Sequence, residues 1–174
     1  MNEIITLVDQ NDVSLGPIEK LEAHKKGLLH RAFSVFIFNS NGELLIQQRA
    51  DEKYHSAGLW TNTCCSHPNY NETTPEAVRR RMNEEMGMTA NVEFKFKFIY
   101  KATFENQLIE HEVDHVYFGI SDDLPTINPD EVKNWKYINM EELQKEISIY
   151  PENYTPWLII CFPEVLKHWK LITF

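Results

Sequence analysis

The sequence predicts an α+β fold, a sandwich in which strands precede and follow one central helix. Three observations support this class. One segment has clear helix start and stop signals, the segment after it alternates between apolar and polar residues, and no regular strand–helix–strand repeat runs along the chain. At 174 residues, the chain is long enough to form one compact domain, residues 1–174, around its own hydrophobic core.

The first part of the chain predicts strands, a short helix and a loop. Apolar runs bounded by turn-forming residues indicate strands, and the Asn-Ser-Asn-Gly sequence at 39–42 is a strong turn signal between two of them. The predicted elements are strands at 4–8 and 13–15, a helix at 19–26 that ends at Gly27, strands at 33–38 and 43–48, and a loop at 54–62.

The central helix is predicted from Thr74 to Gly87. Thr74 can cap its start, and Pro75 fits the first helical position, where no backbone N–H is needed. Apolar residues at positions 78, 82 and 86 then form a stripe on one helix face, and Gly87 ends the helix. This helix therefore has the clearest boundaries in the chain.

The segments after the central helix predict a hairpin and a second pair of helices. Residues 92–100 alternate between apolar and polar side chains, which is typical of a half-buried strand, and residues 108–120 are its predicted hairpin partner. A strand at 135–138 and a helix at 140–147 follow. The last helix begins at Thr155-Pro156, and Pro163 is expected to interrupt it.

Composition limits the classes of partner. A formal net charge of -9 argues against general nucleic-acid binding, although an anionic substrate remains possible where a few cations converge. No apolar run is long enough for a membrane span, and the N-terminus does not resemble a secretory signal. Three cysteines, two of them adjacent, make a poor disulfide framework. We expect a cytoplasmic protein, a monomer or weak dimer, with no nucleic-acid or membrane partner.

The segment 66–88 resembles the Nudix box, a loop–helix–loop with the pattern G-x5-E-x7-R-E-U-x-E-E-x-G-U. Aligned on the closing glycine, the box positions are occupied by Glu72, Arg80, Glu84, Glu85 and Gly87. Two positions depart from the pattern: Ser66 replaces glycine, and Arg81 replaces the glutamate that follows the box arginine. The motif predicts a Nudix-type fold with an altered site.

The substitution at Arg81 changes the expected chemistry. Nudix hydrolases collect Mg²⁺ with several carboxylates on one helix face, and hard cations require oxygen ligands. Arg81 lies four residues from Glu85, on the same face, so it can hold a phosphate or pair with Glu85 but cannot bind a metal. The alternative is that this helix carries an ordinary solvated face of Arg–Glu pairs.

A set of histidines and acids could hold a metal ion. His24, His30 and His67 lie before the central helix, and Glu110 and Glu112 emerge on the same face of a predicted strand. Three imidazoles and two carboxylates suit Zn²⁺ or Mn²⁺. Taken singly, each residue is more often an ordinary core or surface residue, and we interpret the remaining histidines in that way: His55, His111, His115 and His168.

Two further groups could act on a substrate. Cys65, with Glu112 and the nearby Tyr100, offers a thiol and a carboxylate that could transfer protons on opposite faces of a bound molecule. Alternatively, Cys65 is a small buried apolar residue. Four cations could converge on a diphosphate or could simply be surface charges: Lys20, Arg49, Lys53 and Arg81.

Three segments occur in a characteristic order around the box: GLLHRAFSVFIF at 27–38, WTNTCCSHP at 60–68 and IEHEV at 109–113. Together with the box, they resemble the type I isopentenyl-diphosphate isomerase family, which uses the Nudix fold for isomerisation. The resemblance covers the chain from about Lys20 to Trp157. One departure is the sequence His-Ser-Ala-Gly at 55–58, where the family usually has an aromatic residue, proline and glycine.

The resemblance implies a fold, a reaction and a set of roles. The fold would be an α/β/α sandwich with a mixed sheet, and the reaction would interconvert isopentenyl diphosphate and dimethylallyl diphosphate by proton addition and removal. The catalytic residues would be Cys65, Glu112 and Tyr100. One Mn²⁺ or Zn²⁺ would be held by His24, His30, His67, Glu110 and Glu112. A Mg²⁺ that arrives with the diphosphate would be held by Glu85 and the main chain near Cys65.

The same resemblance assigns the substrate contacts. The phosphates would be neutralised by Lys20, Arg49, Lys53, Arg81 and Ser66. The intermediate is expected to be a tertiary carbocation, and Trp157 would lie over it with a π face that stabilises a cation by roughly 2 kcal/mol when water is excluded. Two alternatives stay open: a Nudix pyrophosphohydrolase acting on a nucleoside diphosphate derivative, and a non-catalytic metal- or ligand-binding module.

Overall fold

The computed structural model describes residues 3–104 and 106–174. Its strands are β1 (Ile4–Val8), β2 (Ser14–Glu19), β3 (His30–Phe38), β4 (Leu44–Arg49), β5 (Trp60–Thr61), β6 (Cys64–Ser66), β7 (Val92–Thr103), β8 (Ile109–Ile120) and β9 (Val132–Ile138). Its helices are α1 (Lys20–Lys26), α2 (Thr74–Met86), α3 (Met140–Ile149) and α4 (Pro156–Trp169). None of the helices in these residues is long and apolar enough to cross a membrane.

The sheet is mixed, and β3 is its organising strand. Along one edge, β3 pairs in parallel with β8, which in turn pairs antiparallel with β7. Along the other edge, β3 pairs in succession with β1, β6 and β4, all antiparallel. β4 continues the sheet to β5 and β9. Because β6 and β8 lie on opposite edges of β3, side chains from both strands can reach one region of the sheet.

Helices cover both faces of this sheet. Alternate residues of β3 point to opposite faces: Phe36 packs in the core under α3 and α4, and Val35 packs in the core under α2. On the α2 side the core includes Met82 and Met86, which confirms the predicted apolar stripe of the central helix. The arrangement is an α/β/α sandwich, and the predicted α+β class with a mixed sheet is confirmed.

The boundaries of α2 differ slightly from those predicted. The N-cap is Thr73, not Thr74, and Glu76 accepts hydrogen bonds from the Thr73 backbone N–H (3.0 Å) and hydroxyl (2.6 Å). Gly87 ends the helix as predicted, with φ at 62°. A Cβ at this position would also lie 2.5 Å from the carbonyl oxygen of Thr126, so a side chain cannot be accommodated.

A β-bulge in β7 breaks the predicted alternation. The pairing shifts between Phe94, opposite Tyr117, and Phe96, opposite Val116. Phe94 is consequently exposed at 51% and stays on the face of Tyr117, whereas Phe96 packs on the other face, under α4. The bulge places Tyr100 directly opposite Glu112, on the face that contains the candidate site.

Other differences are local. The strand predicted at 13–15 is Ser14–Glu19, the loop predicted at 54–62 includes β5, and β6 was not predicted. The expected interruption at Pro163 is wrong, because α4 continues from Pro156 to Trp169. Proline removes one backbone hydrogen bond, but Phe162 and Val165 are buried against the sheet and hold the two sides of the proline in one helix.

Candidate active site

Three carboxylates lie on one face of β8. Glu110, Glu112 and Asp114 follow each other at two-residue spacing and are exposed at 4%, 4% and 1%. The Tyr100 hydroxyl lies 2.7 Å from Oε2 of Glu112 and 2.9 Å from Oε2 of Glu110. Its single hydrogen can be donated to one of these oxygens at a time, so Tyr100 links the two carboxylates.

Imidazoles from three different elements converge on Glu112. His30 lies opposite Glu112 in the β3–β8 ladder, His24 lies in α1, and His67 follows β6. The His67 Nε2 atom is 2.9 Å from Oε1 of Glu112 and 3.2 Å from Nε2 of His30. One ligand atom from each of His24, His30, His67 and Glu112 lies within 4.8 Å of the others.

Hydrogen bonds orient two of these rings. Nδ1 of His24 donates to the carbonyl of Lys20, and Nδ1 of His30 donates to the carbonyl of Leu28, each at 2.7 Å. The Nε2 atom of each ring therefore carries the lone pair that a metal requires. Among the described residues, Nε2 of His24 is buried without a hydrogen-bond partner. Burial lowers the pKa of His24 to about 4, so this ring is neutral at physiological pH.

Glu110 occupies a neighbouring position. It forms a second close group with His24 and His55, and its Oε1 atom is 3.1 Å from Nε2 of His55. Burial and the negative charge of Glu112 raise the pKa of Glu110. Burial would also raise the pKa of Glu112, but the neighbouring His30 and His67 rings outweigh burial and hold the pKa of Glu112 well below its ordinary value. The histidine-rich donor set of both groups fits a divalent cation.

A cavity adjoins these groups and contains most of the predicted site residues. Its lining residues are Lys20, Phe33, Ser34, Arg49, Lys53, Tyr54, His55, Cys65, Ser66, His67, Arg81, Tyr100, Glu110, Glu112, Asp114 and Trp157. Cys65 and Glu112 thus share one cavity, although they come from β6 and β8. Burial raises the pKa of the Cys65 thiol to about 12, so the free thiol is protonated.

The four predicted cations are all in this lining, and three of them pair with acids. Lys20 donates to Glu3 at 2.6 Å, and Glu131 accepts from both Lys53 and Arg81. The guanidinium of Arg49 instead donates to the carbonyl of His55 at 3.1 Å and lies over the ring of Trp157, 5.2 Å from its centre. The four cations therefore line one cavity, and three of them are paired with acids of the same chain.

Some predicted site residues lie outside the lining. Glu85, His24 and His30 are not among the described residues that form the cavity wall. The Glu85 carboxylate is exposed at 3% and accepts hydrogen bonds from Arg81 at 2.6 Å and from Gln47 at 2.9 Å. Arg81 therefore pairs with Glu85, as its spacing allowed.

Sequence reasoning missed several members of the site. His55 was interpreted as an ordinary residue, yet it is exposed at 7% and bonded to Glu110. Asp114 continues the two-residue spacing of Glu110 and Glu112, and that spacing could have identified it. Ser34 donates to Asp114 at 2.8 Å and carries no motif of its own. The other histidines interpreted as ordinary, His111, His115 and His168, are not among the described lining residues.

Comparison with known proteins identifies the family. The NUDIX domain model matches residues 28–158. An isopentenyl-diphosphate Delta-isomerase of Pectobacterium atrosepticum is 49% identical over 95% of this chain and 93% of its own length. One of Burkholderia multivorans, with the same name, is 48% identical over 90% of this chain and 89% of its own.

Solved structures support the fold independently. A Deinococcus radiodurans protein superposes with a TM-score of 0.78 at 21% identity, covering 93% of this chain and 98% of that one. A MutT protein of Methanosarcina mazei superposes with a TM-score of 0.66 at 17% identity, covering 80% of this chain and 94% of that one. Together with the sequence relatives, these similarities show that the chain is a Nudix-fold enzyme belonging to the isopentenyl-diphosphate Delta-isomerase family.

Proposed function

We propose that this enzyme interconverts isopentenyl diphosphate and dimethylallyl diphosphate by a protonation and a deprotonation. In the forward direction, a proton adds to the terminal carbon of the double bond, the double bond moves one position, and a proton leaves the carbon on the other side. Atoms and charge balance without an oxidant or reductant. The observation that carries the proposal is the shared cavity, which Cys65 and the Tyr100–Glu112 pair enter from different strands.

The thiol and the carboxylate are proposed as the two proton-transfer groups. Cys65 reaches the cavity from β6, on one edge of β3, and Glu112 reaches it from β8, on the other edge. This separation supports proton transfer on different sides of a flat allylic group. Tyr100, bonded to Glu112 at 2.7 Å, is proposed to assist the transfer of the proton at that carboxylate.

The cation cluster is proposed to bind the diphosphate. Lys20, Lys53 and Arg81 are held near the cavity by Glu3 and Glu131. A diphosphate can replace these carboxylates as the partner of the cations, because phosphate oxygens accept the same charge-assisted hydrogen bonds. We propose the same role for Arg49 and Ser66, which line the same wall.

An aromatic wall is proposed to shield the carbocation. Trp157 is exposed at 3%, and its Nε1 donates to Oδ1 of Asn62 at 3.2 Å, which fixes the plane of the ring. Its π face can stabilise a positive charge without forming a bond to it. Phe33 and Tyr54 extend this wall and help to exclude water, which would otherwise capture the cation.

The metal groups are proposed to serve this chemistry. His24, His30, His67, Glu110 and Glu112 would hold one Mn²⁺ or Zn²⁺, and Glu85 with the main chain at Cys65 would help to hold a Mg²⁺ that accompanies the diphosphate. A bound cation of this kind supplies positive charge that sets the acidity of the groups around it. All three cysteines are free thiols, which supports the proposal that the enzyme works in the reducing cytoplasm.

The test follows deuterium and phosphate in one reaction. Metal-loaded protein is incubated with isopentenyl diphosphate and Mg²⁺ in deuterated water, and label incorporation and phosphate release are measured together. We expect deuterium in the dimethylallyl product and in returned substrate, without phosphate release. Phosphate release without label would indicate a hydrolase, and neither signal would indicate a binding module; both results contradict the proposal.

A further inference from the structure

His55 is held rigidly beside the metal groups. Its ring is stacked on Phe104 with 4.5 Å between ring centres, and Tyr54 contacts it edge-on at the same distance. Trp157 lies edge-on to the His55 ring on a third side, with 6.0 Å between ring centres. The backbone is fixed as well, because Arg49 donates to the carbonyls of His55 (3.1 Å) and Ser56 (3.2 Å). The Nε2 atom of His55 therefore has a defined direction.

That direction points to Glu110. Nε2 of His55 lies 3.1 Å from Oε1 of Glu110, and the other oxygen, Oε2, faces the Tyr100 hydroxyl at 2.9 Å. The Tyr100 hydroxyl has one hydrogen to donate and lies near two carboxylates, of which Glu112 is the closer. A buried carboxylate needs hydrogen-bond donors, so Glu110 depends on His55 whenever Tyr100 donates to Glu112.

The two close groups of ligand atoms share His24. One contains His24, His30, His67 and Glu112, and the other contains His24, His55 and Glu110. Because Nδ1 of His24 is engaged with the carbonyl of Lys20, Nε2 is the atom left for a metal. One nitrogen lone pair can coordinate only one metal ion. The two groups therefore describe one centre, with Glu110 and His55 at its edge.

We propose that His55 is a positioning residue of this centre: its Nε2–H group holds Glu110 in place so that the carboxylate can complete the coordination of an ion bound to His24. The inference rests on the proposed metal site. Outer hydrogen bonds to metal-binding carboxylates restrict their orientation, and the loss of such a bond weakens metal affinity by about 10- to 100-fold.

The test compares matched variants by metal binding, measured on the full chain with Mn²⁺ alone and Zn²⁺ alone in competition with a chelator. His55→Phe keeps a ring that can stack on Phe104 but loses the donor, and His55→Gln keeps a donor without the ring. His168→Phe is the control, because His168 also stacks on a phenylalanine, Phe96 at 5.0 Å, and is outside both groups.

We expect His55→Phe to weaken binding of both ions by about 10-fold or more, while the metal-free variant remains folded. His55→Gln should restore most of the affinity, and His168→Phe should leave it unchanged. Affinity in His55→Phe equal to that of the unaltered chain would overturn the inference while leaving the metal site intact.

Two further measurements distinguish a failure of the positioning role from a failure of the proposed metal site. X-ray absorption of the Zn²⁺ protein should show the same number of imidazole ligands with and without His55→Phe. One imidazole fewer in the variant would make His55 a direct ligand and overturn the positioning role. His67→Ala tests the site itself: unchanged affinity in that variant would remove the proposed metal site, and the role of His55 with it.

Discussion

Tyr100 and Glu112 lie directly opposite each other in the β7–β8 ladder, and the tyrosine hydroxyl donates a hydrogen bond of 2.7 Å to Oε2 of the glutamate. This pairing depends on the bulge between Phe94 and Phe96, which sets the register of the rest of β7. Without that extra residue, period-two alternation would point the tyrosine to the opposite face of the sheet.

Tyr100→Phe should therefore separate chemistry from folding. The ring can still stack on Phe98, 5.5 Å away between ring centres, so we expect the melting temperature to change little. The loss of the hydroxyl removes a donor from Glu112, and we expect kcat for isomerisation to fall by about 10²-fold. Steady-state kinetics and thermal unfolding of the same preparation check both parts. An unchanged kcat would remove Tyr100 from the reaction.

Cys65→Ala should abolish isomerisation. The variant loses one of the two proposed proton-transfer groups, whereas the histidines and carboxylates that would hold the metal remain in place. Metal content, measured by atomic emission, should stay close to that of the unaltered protein. The matched control is Cys161→Ala, which alters a buried thiol of α4 that is not among the described residues lining the cavity. The control should keep its activity and lose about 1 kcal/mol of stability from the small cavity left behind.

Trp157 offers a test of carbocation stabilisation. Trp157→Phe keeps an aromatic face over the cavity and should retain part of the activity, whereas Trp157→Ala should lose most of it. The experiment compares kcat for both variants after each has been shown to fold. Equal rates for phenylalanine and alanine would count against a role for the π face, because the two differ in that feature and in size.

Arg81 marks the difference between this site and a hydrolytic Nudix box. It donates to Glu85 at 2.6 Å and to Glu131 at 3.1 Å, and although burial opposes it, these carboxylates raise the pKa of the guanidinium. Arg81→Lys keeps the charge but loses the forked donor geometry. We expect KM for isopentenyl diphosphate to rise about 10-fold. This rise corresponds to about 1.4 kcal/mol of binding free energy, as expected for the loss of one charge-assisted hydrogen bond. A normal KM would exclude a phosphate contact.

Much of the fold and site was predictable from local sequence, and the remainder depends on contacts between distant segments. Helix α2 was predicted, although its cap is one residue earlier than expected, because its apolar stripe and closing Gly87 are local signals. Glu110 and Glu112 were paired because their spacing fixes a common face. His55 was missed because its position depends on Arg49 and Phe104, which no local spacing connects. The bulge in β7 was missed because the pairing with β8 determines it, and period-two alternation alone suggests a regular strand.

Asp12 provides a stability test away from the active site. It lies in the turn between β1 and β2 at φ 68°, and its carboxylate accepts hydrogen bonds from Arg31 (2.7 Å), His115 (2.7 Å) and Lys97 (3.2 Å). Burial acts to raise the pKa of this carboxyl group, but the bonds from Arg31 and His115 outweigh it and lower the pKa.

A lowered folded-state pKa gives the sign of the pH dependence. The ionised carboxylate stabilises the fold above the pKa of Asp in the unfolded chain, about 3.9, and this contribution is lost as the pH falls through the lower folded-state value. Asp12→Asn removes the charge but tolerates the positive φ, because asparagine adopts that conformation readily. Unfolding by urea should therefore show the variant less stable at pH 7, with the difference from the unaltered chain shrinking toward pH 3. A difference that stays constant over this range would show that the charge of Asp12 contributes nothing to stability.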